Sequence, residues 1–152
     1  MHLASYLGLL HQSELELSKA FGEVAEAHGH EPDVQVLCLR FAEQGTGHAE
    51  ALAPFVDRYG EDQPAEPERL HADLFGGTRS GGLGLLRDLH DLYLMATECE
   101  LTWALVGQAA QAARDAHLLD TVERCQGEVG AQLKWLRTRM KQAAPQALVV
   151  AD

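Results

Sequence analysis

Residues 85–110, LLRDLHDLYLMATECELTWALVGQAA, carry the clearest structural signal in this chain. Their apolar side chains recur every three or four residues, which places them on one face of an α-helix. No competing alternation of apolar and polar residues predicts a β-strand here. The pattern therefore predicts a long helix from about Leu83 to Ala113, with its apolar face formed by Leu85, Leu89, Leu92, Ala96, Cys99, Trp103, Val106 and Ala110.

The same spacing occurs in three further segments of the chain. The first two are separated by a short turn before Pro32, and the last follows Asp115, a residue type that favours the helix N-cap. Four such helices bury their apolar faces most simply as an antiparallel bundle around one core. We therefore expect an all-α bundle spanning residues 1–143 and a C-terminal tail of residues 144–152. The predicted helical segments are about 3–28, 32–60 and 83–113, and a fourth that follows the N-cap Asp115 and is ended by Pro145.

A long connection, about residues 60–82, separates the second and third predicted helices. It is rich in Gly and Pro, with a short helix expected over 68–75. About 23 extended residues reach ~76 Å, whereas a helix of about 27 residues is only ~40 Å long. The connection therefore either crosses the whole bundle or covers one side of it.

Composition limits the partners and the location of the protein. The chain has 152 residues and a formal net charge of −11, with only 12 Lys plus Arg, which argues against nucleic acid or an anionic membrane as the partner. The N-terminus lacks the features of a signal peptide, and the apolar stretch 101–113 is too short to span a membrane. Three scattered cysteines without a CxxC motif indicate a cytoplasmic protein.

Four polar residues interrupt the predicted apolar faces near the middle of their helices, and they are Glu14, His48, Glu100 and Gln126. Buried carboxylates are costly unless they are paired, hydrogen-bonded or bound to a metal. We therefore expect the four side chains to meet in one layer, as a metal site or as a carboxylate–histidine network. Imidazole together with carboxylates suits iron, manganese or zinc.

The helix lengths, the long connection and the inward Glu14, His48 and Glu100 resemble the ferritin-like superfamily. The segments EQGTGHAEAL (43–52) and LHDLY (89–93) are similar to YciE/YciF-like bacterial stress proteins. The resemblance implies a Glu on each of two helices and a Glu-x-x-His on each of the other two, which together hold two metal ions. It implies that Glu14 and Glu100 are the lone glutamates and that His48 is one of the histidines.

The chain departs from this ligand pattern at three positions. Gly45 stands where the pattern has a Glu, and Gln126 and Val129 stand where it has Glu and His. Glu123 and Glu128 are nearby, but both are expected to point about 100° or more away from Val122 on the helical wheel. Gly45 is expected to leave a small void beside His48.

Two functions follow from these departures. In one, the chain is a non-catalytic interaction or stress-related protein that retains only a relic of a metal site. In the other, Glu14, His48 and Glu100 bind iron or manganese and act on oxygen, peroxide or free iron.

Other residues support less specific expectations. His28 and His30 are expected to be solvated in a turn, and Trp103 to be a core or interface anchor. Beyond its core face, the third helix carries a second apolar stripe, which needs cover because a helix that is apolar on nearly all sides is not left exposed. Either the connection covers this stripe or a second copy does, as a homodimer, and the stripe consists of Leu94, Leu101 and Leu105.

Overall fold

The computed structural model describes residues 2–60 and 72–151. Within these ranges the chain forms four long α-helices and no β-strand. A π-helical turn, Gln146–Val150, follows the last helix inside the predicted tail. The prediction of an all-α fold with four helices is confirmed. The helices are α1 (Leu3–Ala27), α2 (Pro32–Gly60), α3 (Gly81–Ala112) and α4 (Ala116–Pro145).

Each helix turns its periodic apolar side chains towards a shared core. In α4 the buried residues are spaced alternately by four and three, which is the repeat of a helix that packs along one seam. The helix begins where predicted, since the Asp115 carboxylate accepts a hydrogen bond from the Leu118 backbone N–H at 3.0 Å. The buried residues of α4 are Leu118, Val122, Cys125, Val129, Gln132 and Leu136.

Contacts at the two ends of the bundle define how the helices run. α1 packs on α2 and α3, and α4 packs on α3 and α2. Near the end of α2, the Tyr59 hydroxyl donates to Asp115 at 2.7 Å, at the start of α4. At the end of α1, His28 Nε2 lies 2.7 Å from Asp88 Oδ2, near the start of α3. We name the end with Tyr59 and Asp115 the upper end and the end with His28 and Asp88 the lower end.

Residues 72–80 are not helical and lie along α1 and α3. Phe75 packs against the core, and Arg79 is anchored by Asp88 and Asp91 on α3. Part of the predicted short helix over 68–75 lies outside the described residues, and residues 72–75 do not form it. Their backbone follows the surface of the two helices instead, so that Phe75 reaches the core.

None of the helices in the described ranges has the length and hydropathy that a membrane crossing requires.

Candidate functional site

One side chain from each helix meets near the middle of the bundle. Glu14 of α1, His48 of α2, Trp103 of α3 and Glu128 of α4 form what we name the central cluster. His48 Nδ1 lies 3.1 Å from Glu14 Oε2, and His48 Nε2 lies 3.1 Å from Glu128 Oε1. The Trp103 indole N–H donates to Glu14 Oε1 at 2.9 Å. Glu14, His48 and Trp103 are buried, whereas the Glu128 side chain is 35 % exposed and connects the cluster to solvent.

The hydrogen bonds of the central cluster favour a positively charged His48. Ionised carboxylate oxygens only accept hydrogen bonds, so a ring bonded to one on each side must donate from both nitrogens. Only the protonated imidazole has two N–H groups. Burial alone would lower the pKa of His48, but the hydrogen bonds and charges of Glu14 and Glu128 outweigh burial and raise it.

We expect this arrangement to make the stability of the protein depend on pH. Because the pKa of His48 is raised in the folded state, protonation of His48 stabilises the fold. This stabilisation is fully present below the ordinary histidine pKa of 6.5, and it is lost as pH rises through the raised pKa. The free energy of unfolding should therefore fall across that window in urea titrations at stepped pH. The variant His48→Gln should lack this slope, and an unchanged slope in the variant would contradict the assignment.

The structure brings together two of the four predicted site residues, Glu14 and His48. The other two lie at the α3–α4 interface, where the Gln126 amide donates to Glu100 Oε1 at 3.0 Å. Among the hydrogen bonds of the described residues, none links Glu100 or Gln126 to His48. The predicted single layer of four polar residues is therefore split into two pairs.

Glu128 reaches the central cluster although it lies more than 100° from Val122 on the helical wheel. The buried stripe of α4 is centred about 40° from Val122, on the side of Glu128. Measured from that centre, Glu128 and Gln126 both lie at about 80°, on opposite flanks of the stripe. Glu128 therefore faces α2, where its carboxylate reaches His48, and Gln126 faces α3.

The predicted void beside Gly45 is also absent, because α1 occupies the space. A Cβ atom at Gly45 would lie 3.0 Å from Ser18 Cβ and 3.3 Å from the Glu14 backbone oxygen. Ser18 holds this close approach, since its hydroxyl donates to the Ala42 carbonyl at 2.6 Å. Gly45 thus marks a helix contact.

The geometry of the central cluster does not fit a metal ion. A histidine ligand offers a nitrogen lone pair, but both His48 nitrogens already face carboxylate oxygens. The second oxygen of Glu14 accepts from Trp103, and Gly45 leaves no space for a further carboxylate from α2. Within the described ranges, no three His, Cys, Asp or Glu side chains are placed to hold a metal.

The cysteines of the core are not reactive thiols. All three are buried and unpaired. Burial is the main cause that raises the pKa of Cys38 and of Cys125 to about 12. Burial and the nearby Glu14 charge also raise the pKa of Cys99. These thiols therefore stay protonated and serve as packing residues, as the sequence predicts.

A second buried polar cluster lies at the lower end. The Asp88 carboxylate accepts from the Arg79 backbone N–H at 2.9 Å and from the Arg79 guanidinium at 2.8 Å, and its Oδ2 contacts His28. The same guanidinium donates to Asp91 at 2.8 Å. Gly84 gives Arg79 room, because a Cβ atom there would lie 2.9 Å from Arg79 Cβ. This cluster ties the described part of the connection to α1 and α3.

His28 is thus the clearest error among the predicted loop residues. It is fully buried, and its Nδ1 has no hydrogen-bond partner, whereas His30 is exposed as expected. The error arose because a histidine beside a glycine in a turn is usually solvated. The partner of His28, Asp88, is 60 residues away in sequence and leaves no local signal.

No family model, curated protein or solved structure matches the chain.

Proposed function

We propose that this protein is a ferritin-like four-helix bundle that acts as a non-catalytic interaction protein. In this proposal a hydrogen-bonded charge network stands where the resemblance implies two metal ions. The placement of helix ends supports the ferritin-like topology: α2 ends near Asp115 at the upper end, and α3 begins near His28 at the lower end. The described residues 72–80 lie along α1 and α3 and lead to the lower end, as a ferritin-like topology requires.

The observation that carries the proposal is the double hydrogen bonding of His48. Its ring lies between two carboxylates from different helices, at 3.1 Å on each side. A protonated ring supplies the positive charge that a metal ion would otherwise supply to Glu14 and Glu128. The proton thus satisfies the buried carboxylate without a metal and without an open coordination position for a substrate.

Metal analysis of protein purified without a histidine tag tests this proposal. We expect metal far below one ion per chain, and the same melting temperature with or without added iron(II) or manganese(II). Binding of a metal to the folded state alone would raise the melting temperature. Near-stoichiometric iron or manganese that is lost in both Glu14→Ala and His48→Ala would contradict the proposal.

The alternative function is an iron- or manganese-binding protein that acts on oxygen, peroxide or free iron. One observation favours it: His48 contacts both Glu14 and Glu128, so a rearrangement of the central cluster would bring metal-ligating side chains from three helices together. The metal analysis decides between the two functions.

Location and organisation remain part of the proposal. Three buried, unpaired thiols are typical of a reducing compartment, so we place the protein in the cytoplasm. The net charge of −11 makes nucleic acid and anionic membranes unfavourable partners. The division into a bundle of residues 1–143 and a tail of residues 144–152 stays a prediction.

A further inference from the structure

One side of the bundle, formed by α3 and the start of α1, is apolar and uncovered by the described chain. Leu94, Leu101 and Leu105 are 44 %, 56 % and 47 % exposed. Beside them a groove of ≈ 560 Å³ runs between α1 and α3, with Tyr6 and Leu105 among its lining residues and alanines along α3. Contiguous apolar surface of this kind marks an interaction site in a water-exposed protein.

The part of this side towards the upper end lacks formal charge, whereas Glu98, which is half-buried, lies between Leu94 and Leu101. Neither residues 2–13 nor residues 101–113 contain an Asp, Glu, Lys or Arg, although charged residues make up 23 % of the chain. The net charge of −11 is therefore carried by the other surfaces. We name the uncharged surface of these two segments the neutral face; Leu94 lies beyond Glu98 at its lower edge.

We propose that the neutral face docks a second copy of this chain, with the two α3 helices packed antiparallel about a two-fold axis. The inference rests on the proposed function in that an interaction protein needs a docking surface. Charge selects the occupant: two acidic copies approach with least repulsion where both surfaces are uncharged, and a two-fold contact brings two neutral faces together.

The spacing of residues on α3 fits such a two-fold contact. If Leu101 lies opposite the partner's Leu105, the same register sets Leu94 opposite the partner's Ala112. Leu94 lies seven residues before Leu101, and Ala112 lies seven residues after Leu105. Ala112 lines the groove, so a leucine side chain meets a small residue there. Large residues therefore face small ones at the rim of the contact, and leucines face each other near its centre.

Sedimentation at several protein concentrations tests the pairing. We expect a dimer for the natural chain, and a dimer that tightens as NaCl is raised, since salt screens the repulsion between acidic copies. The double variant Leu101→Asp/Leu105→Asp should raise the dimer Kd by roughly 100-fold or more, because it places carboxylates in an apolar contact. The matched control Val36→Asp/Leu39→Asp adds the same charges to exposed positions on α2, which is diagonal to α3. The control should stay dimeric.

Disulfide crosslinking tests the register even if the aspartate variant fails to fold. Chains carrying Leu101→Cys are mixed with chains of different mass carrying Leu105→Cys and oxidised. We expect the mixed dimer to dominate on a non-reducing gel. The natural cysteines do not interfere because all three are buried.

Three results would overturn the inference: a monomer at every concentration, a dimer that the α3 aspartates leave intact, or equal loss of the dimer in the α2 control. Sedimentation measures dimer formation and does not depend on what the central cluster binds. Metal analysis measures what the central cluster binds and does not depend on the oligomeric state. Failure of this inference is therefore distinguishable from failure of the proposed function.

Discussion

Replacing Glu14 by alanine should lower the free energy of unfolding by about 3–5 kcal/mol, the range for breaking a buried charged pair. Glu14 is fully buried, and both carboxylate oxygens are used, one facing His48 and one accepting from Trp103. Its removal leaves one N–H of the buried imidazolium and the buried indole N–H without an acceptor, while Glu128 still faces the other ring nitrogen. Urea denaturation at a pH where His48 is protonated measures the loss.

The variant Glu14→Gln is the matched control for charge. The amide oxygen can still accept from Trp103, and the amide N–H can donate to a neutral His48 ring that donates in turn to Glu128. All hydrogen bonds are then satisfied without a cation, so the loss should be under about 1.5 kcal/mol. The pH dependence of stability assigned to His48 should weaken in the same variant. Equal, severe losses in both variants would show that shape rather than charge holds the cluster.

Much of this fold is encoded in local patterns. Apolar spacing and single residues such as Asp115 and Pro32 predict the four helices to within a few residues, because each pattern is read over many turns. The same spacing identifies Glu14 and His48 as inward-facing, since both lie near the centre of their stripes. Residues at the centre of a stripe face the core whichever neighbour packs there.

Residues on the flank of a stripe are harder to predict. Glu128 and Gln126 lie at equal angles from the stripe of α4, and only the positions of α2 and α3 decide which partner each meets. A small error in the assumed centre of the buried stripe of α4 therefore changes which of the two residues is expected to face the core. Trp103 left a usable signal, because a buried indole N–H needs an acceptor and Glu14 is a suitable one.

The predictions for Gly45 and His28 failed because both depend on how closely separate segments of the chain pack. Whether Gly45 leaves a void or permits contact depends on the distance between α1 and α2, which no residue pattern within α2 records. The burial of His28 likewise depends on Asp88 and on the path of residues 72–80.

Introducing a glutamate at position 45 should destabilise the protein rather than create a metal site. The new Cβ atom would lie 3.0 Å from Ser18 Cβ and 3.3 Å from the Glu14 backbone oxygen, so α1 and α2 would have to separate. The carboxylate would enter a buried position beside the acidic central cluster, where like charges repel. We expect Gly45→Glu to lower the free energy of unfolding by about 4 kcal/mol or more.

Gly47→Glu provides the matched control on the same helix. Its Cβ atom would have no neighbouring heavy atom within 4 Å, and the substitution adds the same charge to the same helix. Replacing a helical glycine there should leave stability unchanged or raise it by about 0.5–1 kcal/mol. Urea denaturation of the two variants, each with and without added manganese(II), makes the comparison. Recovery of Gly45→Glu by the metal would mean that α1 and α2 can separate to form a site. If the metal does not restore the stability of Gly45→Glu, the close contact between α1 and α2 at Gly45 excludes a further carboxylate from the central cluster.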